Sequence, residues 1–102
     1  MLVRVEPLGV DLEVRSGETL IEAAWREGYS WPTVCYGQAQ CTECHVVVVD
    51  GAEHLSEVGP DEARALLMLR SSGLPNLAAR RLACRLEAHG PATVEKPGVR
   101  RL

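Results

Sequence analysis

Phenylalanine is absent from this 102-residue chain, and Trp25, Tyr29, Trp31 and Tyr36 are its whole aromatic complement. Nothing basic clusters with those rings, which argues against nucleic-acid binding. No apolar run approaches the roughly 20 residues that a membrane-spanning helix needs. The opening Met1-Leu2-Val3-Arg4-Val5-Glu6 has neither the apolar core nor the small-residue cleavage site of a secretory leader. The expectation is a cytoplasmic chain, where structural disulfides are rare. Glycine-rich phosphate cradles and nucleophile–base pairs are missing too, so nothing marks an enzyme in its own right. Lysine and arginine are absent from Gly28 through Ala63. Residues 1–62 carry twelve acids and three bases, whereas residues 63–102 carry two acids and eight bases, for an overall charge of −3. That asymmetry either cancels when the halves fold together or leaves an acidic docking face.

What is present suits one globular domain over residues 1–102, with 46% hydrophobic and 25% charged residues. Leu2 to Glu6 and Val10 to Val14 alternate apolar and polar residues around a Pro7–Gly9 turn, the pattern of a hairpin. Ser16 to Thr19 supply a helix start, and Leu20, Ile21, Ala24 and Trp25 share one helical face, so a helix over 18–27 with Trp25 in the core is predicted, stopped by Gly28. Tyr29 to Cys44 has no periodicity, and an irregular segment that long in a small domain is normally functional or disordered. His45 to Asp50 reads as a strand ending at Asp50-Gly51. Asp61 to Arg70 reads as a second helix with Met68 filling the core, Arg81 to Glu87 as a strand containing Cys84, and Ala92 to Glu95 as a last short strand. The basic tail from Lys96 is expected to be loose, and His54 and His89 to lie on the surface. The resulting order, β-β-α-loop-β-α-β-β, is a small α+β sheet with a helix packed on one face.

The chemistry lies in four cysteines. Cys35, Cys41 and Cys44 follow a C-x5-C-x2-C spacing, and Cys84 comes thirty-nine residues later. A disulfide framework would need an oxidising compartment. A structural zinc site is often built from two close-spaced pairs, and Cys41/Cys44 is one pair without a second. Cys41-Thr-Glu-Cys44-His45 spells the attachment motif of a c-type haem, but that reading leaves Cys35 and Cys84 idle. A [2Fe–2S] cluster uses all four thiolates, with Gly37 and Ala39 easing the backbone around it. Trp31 and Tyr36 flank or enter this segment, where packing or shielding from water are both open to them.

Cys35-Tyr-Gly-Gln-Ala-Gln-Cys41-Thr-Glu-Cys44-His45-Val and Arg81-Leu-Ala-Cys84 resemble the vertebrate-type [2Fe–2S] ferredoxins, which include adrenodoxin and putidaredoxin. The five-residue first gap is similar to that family's. The resemblance implies a β-grasp fold, a small mixed sheet with a helix packed across it and a cluster-binding loop. It implies one [2Fe–2S] cluster per chain, with Cys35, Cys41, Cys44 and Cys84 as iron ligands. It implies that His45 bridges the cluster loop to neighbouring backbone. A one-electron carrier follows, monomeric, taking electrons from an FAD-containing ferredoxin reductase and passing them to an oxygenase, foremost a cytochrome P450. A Rieske-type oxygenase or iron–sulfur cluster assembly are the alternative destinations, and a zinc-stabilised interaction domain is the alternative class. Docking is expected near the cluster loop and the helix bearing Asp61 and Glu62. Arg64 and Arg70 stand where the family would carry more acids, Tyr36 and Gln38 stand where many relatives have small residues, and the long second gap places extra residues between Ser71 and Arg80.

Overall fold

The structure, a computed structural model, describes residues 1–32, 44–69, 73 and 77–102. Cys35, Tyr36, Gly37, Gln38, Ala39, Cys41, Arg70 and half of the expected insertion after it lie outside the described residues.

Val3 and Val5 are buried while Leu2 and Arg4 are exposed, as alternation demands of a strand with one face on the core. This strand, β1 (Leu2–Glu6), pairs antiparallel with β2 (Val10–Glu13), from Val5↔Val10 to Leu2↔Glu13. Helix α1 (Leu20–Arg26) begins at a reciprocal cap. The Thr19 hydroxyl accepts from the Glu22 N–H at 3.4 Å, and the Glu22 carboxylate accepts from the Thr19 N–H at 2.9 Å. The helix therefore starts two residues later than predicted, with Thr19 as its cap. It ends at Arg26, before Gly28 at φ 87°, a left-handed conformation that glycine adopts without strain.

Next come β3 (Tyr29–Ser30), β4 (His45–Asp50), a 3₁₀ turn at Ala52–His54 and helix α2 (Pro60–Leu69). A second 3₁₀ turn at Leu77–Ala79 leads into β5 (Arg80–Leu82), followed by β6 (Ala92–Glu95) and β7 (Arg100–Arg101). Five strands form one mixed sheet in the order β2-β1-β6-β4-β5. In it β1 and β6 run parallel while the other pairs are antiparallel. Leu20, Ile21, Ala23 and Ala24 of α1 share one apolar core with Val3, Val5, Leu12, Val46, Leu82 and Val94 of the sheet. This is the expected α+β, β-grasp architecture.

Four details differ from the sequence-based expectation. Trp25 is 39% exposed, because Leu20, Ile21, Ala23 and Ala24 supply the buried face of α1 and leave the indole at its edge. Met68 is 60% exposed, since α2 turns Glu62, Ala65 and Leu69 inward instead. Cys84 lies in a turn rather than in a strand, because β5 ends at Leu82. The tail is not loose: Lys96 and Val99 are buried, the Lys96 N–H donates to the Glu6 carbonyl at 2.7 Å, and β7 pairs with β3. His89 is exposed, whereas His54 is half-buried with Nδ1 2.6 Å from the Pro91 carbonyl.

Candidate functional site

Strands β4 and β5 pair antiparallel with His45 opposite Leu82. Cys44 precedes the first of these residues and Cys84 follows the second by two positions. The thirty-nine-residue gap therefore closes, and the two cysteines meet at one end of the ribbon. Cys44 is 0% and Cys84 3% exposed. The Cys44 carbonyl accepts from the buried Trp31 indole N–H at 3.2 Å and lies 3.4 Å from the Ala83 N–H. Trp31 is thus packed and hydrogen-bonded beside Cys44.

The turn at Cys84 is gripped from two sides. From α1, the N–H of Ile21 donates to the Ala83 carbonyl at 3.0 Å and the N–H of Leu20 to the Leu86 carbonyl at 2.8 Å. The first N–H groups of a helix have no partner within it. The chain after Leu82 satisfies two of them by turning, which explains why the Arg81–Glu87 stretch is not one strand. From α2, Glu62 accepts two hydrogen bonds from Arg81, at 2.7 and 3.0 Å, and a third from the Leu82 N–H at 2.9 Å.

Glu62 is 1% exposed. It therefore does not belong to a docking surface, contrary to the expectation for the Asp61/Glu62 pair; its carboxylate is spent inside the protein on Arg81. Asp61 does face solvent, 3.9 Å from the Arg85 guanidinium. Nothing in the local pattern Pro60-Asp-Glu-Ala distinguishes the two acids. The signal that separates them is helical phase: Glu62 shares its face with Ala65 and Leu69.

His45 Nδ1 lies 2.9 Å from the Arg80 guanidinium. A guanidinium has only donors, so Nδ1 accepts and the ring proton sits on Nε2. This contact ties His45 to a side chain of β5, and the cluster loop that His45 is expected to bridge lies outside the described residues. Arg85 donates to the Cys84 carbonyl at 3.1 Å. Each described cysteine thus has a guanidinium within one neighbouring residue of it.

Two buried thiols at the end of a paired ribbon, with their carbonyls held and cations nearby, fit two ligand positions of an iron–sulfur cluster, whose irons take thiolates. Cys35 and Cys41 lie outside the described residues. Among the described residues no helix is long and apolar enough to cross a membrane.

The architecture and this thiol pair define a cluster-binding β-grasp domain. Residues 3–88 match the model of the 2Fe-2S iron–sulfur cluster binding domain, and the chain belongs to that family, whose cofactor is a [2Fe–2S] cluster. It is 40% identical over 58 residues to the reductase component of phenol 2-monooxygenase from Pseudomonas sp. strain CF600, covering 57% of this chain and 16% of that one. It is 39% identical over 56 residues to a 2Fe-2S ferredoxin of Escherichia coli K12, covering 55% of this chain and 50% of that one. The chain thus spans half the length, or less, of these curated relatives. Among solved structures, an ISC-like [2Fe–2S] ferredoxin of Pseudomonas putida superposes with a TM-score of 0.72 at 27% identity, over 99% of this chain and 94% of that one.

Proposed function

We propose that the chain is a one-electron carrier of the vertebrate-type ferredoxin subgroup, with Cys35, Cys41, Cys44 and Cys84 as ligands of one [2Fe–2S] cluster. The observation that carries this reading is the convergence of buried Cys44 and Cys84 at one end of the β4–β5 ribbon. When bound, the cluster supplies reversible uptake of one electron. The residues around it hold and balance it. Trp31 and the two helices fix the backbone on either side of the cysteines. Arg80, against the His45 ring, and Arg85, on the Cys84 carbonyl, are cations beside two of the residues that would hold the cluster.

The carrier takes electrons from an FAD-containing ferredoxin reductase and delivers them to an oxygenase, foremost a cytochrome P450, acting as a cytoplasmic monomer without substrate chemistry of its own. Similarity to a phenol 2-monooxygenase reductase component supports an oxygenase system as the setting. Likeness to an ISC-like ferredoxin supports the second reading, electron supply to iron–sulfur cluster assembly.

The test is direct. Purified protein should be brown, hold about two irons and two acid-labile sulfides per chain and bleach with dithionite. Each of the variants Cys35→Ser, Cys41→Ser, Cys44→Ser and Cys84→Ser should lose most of that content. Colourless protein with one zinc would overturn the proposal.

A further inference from the structure

The segment after β6 was expected to be loose, and the structure binds it at four points. The Lys96 N–H donates to the Glu6 carbonyl, and Val99 is buried in the core. Arg100 and Arg101 pair with Ser30 and Tyr29. The Leu102 N–H donates to the Gly28 carbonyl at 2.8 Å. Arg101 also donates to the Tyr29 hydroxyl at 2.8 Å, with its guanidinium carbon 5.4 Å from the ring centroid, within the range of a cation–π contact. Gly98, at φ +94°, lies so close that an added Cβ would come within 3.1 Å of Pro32 Cγ.

The contacts of Gly98, Arg100, Arg101 and Leu102 converge on Gly28 to Pro32, the stretch leading to Cys35. Its strand, β3, has two residues and belongs to a two-stranded ladder with β7, separate from the main sheet. A two-residue ladder is marginal by itself. What it positions is the next residue, Trp31, whose indole N–H reaches the Cys44 carbonyl. Arg101 thus holds Tyr29, and two residues further along the same backbone Trp31 holds Cys44.

We propose that the C-terminal segment 96–102 and Trp31 form a positioning strap for the cluster, in which Arg101 holds β3 in place so that the Trp31 indole fixes the backbone of Cys44. Arg101 and Trp31 are positioning residues; they act through Cys44. The proposal rests on the reading of Cys44 as a cluster ligand. Its signature is coupling: the indole restrains Cys44 only while β7 holds β3, so losing either element removes the same restraint.

The experiment uses cluster-loaded full-length protein and its Arg101→Ala, Trp31→Phe and Arg101→Ala/Trp31→Phe variants. The rate of cluster loss in the presence of a chelator is followed by visible absorbance, and the g-values of the dithionite-reduced proteins by electron paramagnetic resonance. Each single variant should lose its cluster roughly two- to tenfold faster, the range set by one hydrogen bond's net contribution. Both should shift the g-values in the same direction. The double variant should be no faster than the faster single one, and Arg101→Lys, which keeps a cation over the Tyr29 ring, should recover most of the parental behaviour. Parental loss rates and g-values in Arg101→Ala would overturn the strap, as would effects that multiply in the double variant. If Arg101→Ala does not accumulate as folded protein, Gly98→Ala takes its place, because its Cβ pushes on Pro32; an unchanged loss rate there overturns the proposal equally. Cys44→Ser, run alongside, tests the ligand reading separately: a full cluster in that variant sinks the ligand assignment whatever the strap variants show.

Discussion

The two helices grip the same turn, the one that carries Cys84, by opposite means. Helix α1 buries a continuous apolar face of Leu20, Ile21, Ala23 and Ala24 and offers backbone N–H groups to Ala83 and Leu86. Helix α2 is longer, yet its connection to β5 centres on one carboxylate, Glu62, shared between the Arg81 guanidinium and the Leu82 N–H. Distributed apolar burial degrades gradually as atoms are removed. A buried charge held by three hydrogen bonds fails abruptly, because each partner left behind is desolvated and unmatched. The comparison predicts that α2 is the more brittle support of the Cys84 turn, although it is the longer helix.

The largest expected effect is at Glu62. Glu62→Ala strips Arg81 and the Leu82 N–H of their partner, and breaking a buried pair in this way costs roughly 3–5 kcal/mol. Anaerobic urea denaturation of the cluster-loaded protein measures it. Asp61→Asn, one residue away on the exposed side, should change stability by less than about 0.5 kcal/mol. Equal losses at the two positions would remove the distinction between a buried anchor and a surface acid. Next in size is the cap of α1. Thr19→Ala removes one half of the reciprocal Thr19–Glu22 arrangement and should cost about 1 kcal/mol in the same titration. A loss rivalling that of Glu62→Ala would mean that α1, not α2, is the brittle element.

The same contrast explains what could be read from the sequence. Helix α1 was legible because its apolar spacing, cap and stop are local: Leu20, Ile21 and Ala24, Thr19 and Gly28 all state their roles within ten residues. The hairpin β1–β2 and the strand β4 were legible for the same reason. Glu62 was misplaced because its partner Arg81 is nineteen residues away, and a Pro-Asp-Glu start looks the same whether its second acid faces water or an arginine. Arg81 to Glu87 has strand-like residues and by itself reads as a strand through Cys84; the turn there answers the unpaired N–H groups of α1, a tertiary demand invisible in the local pattern. The tail carries no local signal of order, because Arg100 and Arg101 gain their partner only when β3 is placed beside them. The cysteine spacing was the strongest signal, and the structure adds the register that closes its longest gap, at Cys44 and Cys84.

A smaller effect separates the helices by pH. Glu18, just before α1, receives two hydrogen bonds from Arg26, at 2.8 and 2.9 Å, and one from the Arg15 N–H. The Arg26 hydrogen bonds pull its carboxyl from 4.5 down to about 2, against partial desolvation, which acts in the opposite direction. A carboxyl whose folded pKa lies below its unfolded value stabilises the fold above the unfolded pKa and loses that contribution as pH falls toward the folded one. The urea midpoint should therefore drop as the pH falls from about 5.5 to about 2, and Glu18→Gln should flatten part of that drop. An unchanged slope in Glu18→Gln would show that the α1 ion pair carries no acid sensitivity of its own.

The smallest expected effect lies on the outer face of α2. Leu67 and Met68 are both exposed, and Arg64 beside them is exposed as well. Because α2 is held from its inner face by Glu62, trimming the outer face should leave the support of Cys84 intact. Met68→Ser should change stability by no more than about 0.5 kcal/mol, the usual range for surface positions. A loss several times larger would show that α2 is held by apolar contact along its length after all, and the contrast with α1 would then be one of degree rather than of kind.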